Sequence, residues 1–215
     1  IIVANTFDNV TIKPYKVLNS EGKGTDAQTV LGVEAAIADG VDVINMSFGR
    51  IGENPAMDEA LLKAHKAGIK LVAAAGNEGM NMDTIPYTPA CCDNVITVMA
   101  YDYFMEGIMP FSNYGSMCET AAIGENVVSA YLNYKYIAAS GTSQAAPFVT
   151  AAVTYLILDN PAITYKSIVE KIDQREILNG MYVAYIFDDI LPQTPAPEFS
   201  VPDGEFVEAF EMEIT

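Results

Sequence analysis

Ile69-Lys70-Leu71-Val72-Ala73-Ala74-Ala75 has one polar residue and is closed by Gly68 before it and Gly76 after it. A run this short and this apolar reads as a strand buried on both faces, the kind found in parallel sheets covered by helices. Its neighbours repeat the theme. Upstream, Val41 to Phe48 is a second such strand, and between the two Asn54-Pro55 offers a cap and first-turn proline for a helix through Ala67 that Gly68 closes. Further upstream, Thr25 or Asp26 caps a helix with Val30, Val33 and Ile37 on its apolar side and a stop at Gly40, preceded by a strand at Ile12 to Leu18. Downstream, Asn94 to Ala100 is a fourth strand, and short extended pieces lie at Asn126 to Tyr131 and Lys135 to Ala138. Ser143 to Leu158 is apolar on nearly every side, which marks a helix buried mid-protein, and Thr164 to Ile172 is a shorter amphipathic helix. Strands alternating with helices predict an α/β fold in three layers around a parallel central sheet.

The chain has 215 residues, 51% of them hydrophobic, enough for one large core. Its net charge of −17 repels phosphate backbones and anionic membranes, which excludes nucleic-acid binding and surface attachment of that kind. No apolar run reaches the roughly 18 to 20 residues a membrane-spanning helix needs. Three cysteines, Cys91, Cys92 and Cys118, are too few for a disulfide framework. Asp188 to Thr215 carries eight acidic residues, no basic ones and four prolines, so residues 1–187 read as the domain and 188–215 as an acidic linker or peripheral strand.

Gly141-Thr142-Ser143 stands directly before the buried helix, placing the Ser143 hydroxyl where helix N–H groups favour negative charge. That is a place from which to attack a carbonyl. The Ser143 N–H could take one share of the resulting oxyanion, and Asn77, just beyond the strand at Ala75, could take another with its side-chain amide. A second chemistry is written in Gly22-Lys23-Gly24-Thr25-Asp26-Ala27, which fits a loose dinucleotide fingerprint between a strand and a helix. That signal is weak, because the next strand ends Asn45-Met46-Ser47 with no acidic residue for a ribose.

In combination these segments resemble the subtilisin-like serine proteases, the S8 or subtilase family. Asp42-Val-Ile-Asn-Met-Ser47-Phe-Gly49 resembles the family's substrate-binding strand, and Val72-Ala-Ala-Ala-Gly-Asn77-Glu-Gly79 its oxyanion segment. Gly141-Thr-Ser143-Gln-Ala-Ala-Pro147 resembles its nucleophile motif, and Phe111-Ser-Asn-Tyr-Gly115 a further family segment. The resemblance runs from about Val10 to about Ile172. It implies a serine endopeptidase with Ser143 as nucleophile and Asn77 as oxyanion donor. Ser47, Phe48 and Gly49 on one side and Gly22, Lys23 and Gly24 on the other would hold a peptide substrate as an added strand. Ala74, Ala75 and Gly76 would form a wall of the pocket for the residue before the scissile bond. Tyr87 would stand at its base, where relatives often have a small residue, so the resemblance implies a shallow pocket that prefers small side chains. Thr88-Pro89 matches a peptide bond that is cis in relatives.

A serine nucleophile needs a base and an oriented carboxylate, and the family's Asp-Ser/Thr-Gly and His-Gly-Thr motifs do not occur here. The one histidine, His65, sits between Lys63 and Lys66 on the outer face of a helix and is not that base. The expectation is therefore a carboxyl-terminal fragment of a longer protease whose N-terminal segment carries Asp and His, inactive and poorly folded by itself because its sheet would expose an apolar edge. A pseudoprotease serving as a peptide-binding or regulatory module is the alternative. The resemblance calls for no cofactor, allows calcium as a structural ion although no complete ligand set is written in the chain, and implies a secreted or cell-surface location. It also allows a Cys118 disulfide with Cys91 or Cys92.

Overall fold

The computed structural model describes residue 3 and residues 10–102, 104, 107–131 and 135–173. The boundary at 187 and the acidic tail lie outside the described residues. Four strands, β1 (Val43–Met46), β3 (Lys70–Ala74), β5 (Val95–Tyr101) and β6 (Thr120–Ile123), form one parallel sheet in the order β1-β3-β5-β6. Two short antiparallel ribbons accompany it. One pairs β2 (Arg50–Ile51) with β4 (Tyr87–Thr88), the other β7 (Val127–Tyr131) with β8 (Lys135–Ala139). The helices are α1 (Asp26–Ala38), α2 (Pro55–Lys66), α3 (Thr142–Asp159) and α4 (Tyr165–Asp173).

Alternation along β3 assigns the two faces of the sheet. Leu71, Ala73 and Ala75 point into one core with Val33 of α1 and Met57, Ala60, Leu61 and Ala64 of α2. Val72 and Ala74 point into the other, with Ala145, Ala146, Val149 and Val153 of α3 and Ile168 and Ile172 of α4. The fold is the three-layer α/β arrangement that the strand and helix alternation predicts. Helix ends follow their caps: Thr25 closes a capping box with Gln28, Asn54 accepts from Met57 N–H ahead of Pro55, and Gly40 and Gly68 end their helices at positive φ of 64° and 88°.

Two expectations need correction. Ile12 to Leu18 is not a strand: it has no hydrogen-bonded partner strand among the described residues and instead runs along α1. Val17 packs on Gly32, where a Cβ would come within 2.4 Å of Cγ1, and the Tyr15 hydroxyl donates to Asp39 at 2.7 Å. Val17 and Tyr15 are thus held by a helix rather than by a sheet, while Ile12 is 52% exposed. Conversely β6, Thr-Ala-Ala-Ile, is a strand that periodicity overlooked.

Glu119 ties α4 to the sheet, its Oε2 accepting from Thr97 N–H at 2.8 Å and its Oε1 from the Tyr165 hydroxyl at 2.8 Å. Burial pushes its pKa up against the pull of those bonds. A carboxyl raised in the folded state contributes stability that is complete below its unfolded pKa and is lost as pH rises through its folded pKa. Glu119→Gln, which can keep both contacts, is therefore expected to raise Tm by roughly 2–4 °C at pH 8, the shift about 1 kcal/mol produces in a domain this size. The gain should vanish near pH 4, as thermal melts across that range would register.

Candidate active site

Ser143 lies in the first turn of α3, and its side chain and carbonyl face Ser47 at the end of β1. The Ser143 hydroxyl donates to the Ser47 carbonyl and the Ser47 hydroxyl to the Ser143 carbonyl, each at 3.1 Å. Behind this reciprocal pair, Asn45 donates to Ser47 Oγ at 2.9 Å and accepts from the Thr150 hydroxyl of α3 at 2.8 Å. The Ser143 N–H, one of the free donors of a helix start, has no partner among the described residues.

Asn77 reaches the same helix start. Its Oδ1 accepts from Thr142 N–H at 2.9 Å and from the Thr142 hydroxyl at 3.0 Å, while Thr142 Oγ1 accepts from Gly76 N–H at 3.1 Å. Two donors on Oδ1 fix the amide's orientation and turn Nδ2 the other way. That nitrogen has no partner among the described residues, and a Cβ on Gly141 would stand 3.4 Å from it and 2.7 Å from Gln144 Oε1.

The pocket residues converge as well. The Tyr87 ring is buried between two glycines: a Cβ on Gly49 would come within 2.1 Å of its Cε1, and one on Gly76, which holds φ +102°, within 2.7 Å of its Cζ. Ala74 and Ala75 are buried beside Gly76. The Thr88-Pro89 bond that follows is cis. On the far edge, Gly22 takes φ +74° in a turn closed by Asn19, and Gly24 lies against the Val17 carbonyl. This edge is drawn to the Ser47–Gly49 edge by a two-pronged ion pair, Arg50 Nε and Nη2 to the Asp26 carboxylate, each at 2.7 Å. Arg50 holds the Asp26 carboxyl below its usual pKa.

The family model of the subtilases matches residues 3–177. The chain belongs to the subtilase family. It is 40% identical over 158 residues to Subtilisin DY of Bacillus licheniformis, covering 73% of this chain and 57% of that protein. To Minor extracellular protease Epr of Bacillus subtilis strain 168 it is 38% identical over 154 residues, 71% of this chain and 23% of that one. The crystal structure of a cold adapted subtilisin-like serine proteinase superposes with a TM-score of 0.70 at 28% identity, covering 76% of this chain and 59% of that one. The subtilase chain thus spans less than two thirds of the length of these relatives.

His65 is on α2, which packs on the face of the sheet opposite α3 and ends just before the amino end of β3. It therefore sits at the other end of the sheet from Ser143. The three cysteines are free, and Cys118 faces Met82 with 3.9 Å between sulfurs instead of a second cysteine. The disulfide expectation is corrected by that placement, and burial pushes the pKa of the Cys118 thiol up to about 12. The Gly22-Lys23-Gly24 turn follows the unpaired segment at 12–18, so the strand that a dinucleotide fingerprint requires is missing. No group of three or more His, Cys, Asp or Glu side chains that could hold a metal ion occurs among the described residues, and no calcium site is assigned to them. No helix among them is long and apolar enough to cross a membrane. Asn45 and Thr142 stand inside motifs of the resemblance without a role assigned by the sequence, and Thr150 carries no local signal.

Proposed function

We propose that the chain is the nucleophile-bearing part of a serine endopeptidase that hydrolyses peptide or protein substrates. The observation that carries this reading is the helix start that sets the Ser143 hydroxyl and N–H beside an Asn77 amide locked by Thr142. Ser143 Oγ attacks the scissile carbonyl and gives its proton to a base. The oxyanion takes hydrogen bonds from Ser143 N–H and Asn77 Nδ2, the amine leaves with a proton, and water releases the acyl group from Ser143. The substrate lies as an added strand between Ser47-Phe48-Gly49 and Gly22-Lys23-Gly24, with its side chain before the scissile bond directed at Ala74, Ala75, Gly76 and Tyr87. No cofactor takes part.

The base and its carboxylate belong, in this reading, to an upstream segment carrying His and Asp. Among the described residues β1 has a sheet neighbour on one side only. Its other side faces a cavity of about 580 Å³ lined by Ile12, Val33, Ile44, Asn45, Thr150 and Ile157, a polar and apolar mixture suited to covering chain. A secreted location is proposed from likeness to Epr, although a relative at 32% identity over 194 residues, 88% of this chain and 57% of its own, is named Major intracellular serine protease of Bacillus subtilis strain 168. The pseudoprotease reading draws on the Ser143 hydroxyl donating to a backbone carbonyl and not to a base.

A fluorophosphonate probe separates the two. The protein made from its whole coding sequence, codons before Ile1 included, is expected to be labelled at Ser143 within minutes. Residues 1–215 alone should be labelled at least a hundredfold more slowly, the scale of a general base's contribution. If the whole protein stays unlabelled at Ser143, the endopeptidase reading falls and the pseudoprotease replaces it.

A further inference from the structure

Asn113 lies in the Phe111–Gly115 segment between β5 and β6 and is 0% exposed. Its side-chain amide uses its whole capacity on one loop. Oδ1 accepts from Glu78 N–H at 3.1 Å and Met80 N–H at 2.9 Å, and Nδ2 donates to the Ala75 carbonyl at 2.8 Å and to Glu78 Oε2 at 2.7 Å. The backbone adds more: Asn113 N–H to Gly76 O at 2.9 Å, Gly79 N–H to Phe111 O at 2.7 Å, and Tyr114 N–H to Met80 O at 2.9 Å. From Ala75 to Met80, every residue except Asn77 is thus bonded to Phe111–Tyr114. Asn77 turns its side chain to Thr142 instead.

We infer that Asn113 is a positioning residue that holds the loop bearing the Asn77 oxyanion donor, so that Asn77 Nδ2 is set before the transition state forms. The inference rests on the endopeptidase reading for its kinetic consequence, but its structural half stands apart from it. A loop of six residues with two glycines at positive φ has little stiffness of its own. Anchoring from Asn113 on one side and Thr142 on the other leaves Nδ2 with one place to be, and a donor pre-set in this way need not reorganise as charge develops. A buried amide with all four bonds made also cannot be exchanged for its acid. A carboxylate in its place would set acceptors against the Ala75 carbonyl and the Glu78 carboxylate, with no N–H to give either.

The test compares the whole-coding-sequence protein with its Asn113→Asp, Glu78→Gln and doubly substituted forms, with kcat counted per fluorophosphonate-titrated site. Asn113→Asp is expected to lower kcat by about 10- to 100-fold while KM moves less than about threefold, the pattern of a misplaced transition-state donor. Glu78→Gln in the Asn113→Asp background returns an N–H to the broken contact and should recover kcat by about fivefold or more over Asn113→Asp alone. Independently of catalysis, hydrogen exchange should show the Glu78, Gly79 and Met80 amides losing about tenfold or more protection in Asn113→Asp while β3 and β5 keep theirs. Should the aspartate prevent folding, Asn113→Ser gives the same kinetic and exchange readouts. A variant that loses folded protein or Tm but keeps wild-type kcat per titrated site, with loop exchange unchanged, overturns the inference. An inactive parent protein with the expected loop exchange instead overturns the endopeptidase reading and leaves the anchoring of the Asn77 loop by Asn113 in place.

Discussion

Asn77→Ala in the whole protein is expected to lower kcat by about a hundred- to a thousandfold with KM nearly unchanged, the loss seen when a subtilisin is deprived of its side-chain oxyanion donor. The reason lies in which half of the amide is engaged. Oδ1 is occupied by the N–H and hydroxyl of Thr142, and Nδ2 has no partner among the described residues. In the endopeptidase reading it interacts with charge that exists only in the transition state, and that selectivity is what separates a kcat loss from a KM loss. Asn77→Asp sharpens the test. A carboxylate still accepts from Thr142 but repels an oxyanion, so it should be at least as damaging as alanine although it keeps the structural bonds. Steady-state kinetics on a peptide anilide decides: a change below about threefold in either variant would remove Asn77 from the chemistry.

Tyr87→Gly is expected to move the ratio of kcat/KM for Phe against Ala before the scissile bond by about 10- to 100-fold toward Phe. The tyrosine ring fills the space between Gly49 and Gly76, and in the endopeptidase reading that leaves the pocket room for small side chains only. Removing it opens an apolar space that a substrate aromatic can occupy, and burying such a side chain contributes about 1.5–3 kcal/mol, with each 1.4 kcal/mol worth a factor of ten. Losing a buried aromatic also costs about 3–5 kcal/mol of stability when nothing refills the space. The comparison is therefore read within each protein, as a ratio between two substrates, well below the lowered Tm. A native enzyme that already prefers aromatic residues would refute the shallow pocket.

Much of the architecture was legible because each crossover unit carries its own signals. Asn54 before Pro55, Thr25 three residues ahead of Gln28, and Gly40 and Gly68 after the last helical turns are local chemistry, readable without knowing what packs on what. Ile12 to Leu18 misled because β-branched and aromatic residues say that side chains pack and not on what; here Val17 and Tyr15 meet Gly32 of α1 and Ile12 stays exposed. β6 escaped because two alanines in four residues give almost no strand preference, and its pairing with β5 makes it a strand. The site divides along the same line. Ser143 and Asn77 of the candidate site carry local signals, a helix start and a strand end. Asn45 and Asn113 stand inside motifs of the resemblance, but their roles, like that of Thr150, come from contacts with residues distant in the chain that those motifs do not spell out.

The reciprocal bonds between Ser47 and Ser143 join residues 96 apart, and the Asn45–Thr150 bond spans 105. At ribosomal speeds of about 5–20 residues per second, roughly 5–20 s separate the synthesis of the two serines. Until the later one emerges and that long loop closes, the earlier half of the groove has nothing to align it, and closing so large a loop is a slow, entropically opposed event. Order of synthesis thus acts as a timer: the contacts around Ser143 assemble only after most of the described sheet has been made.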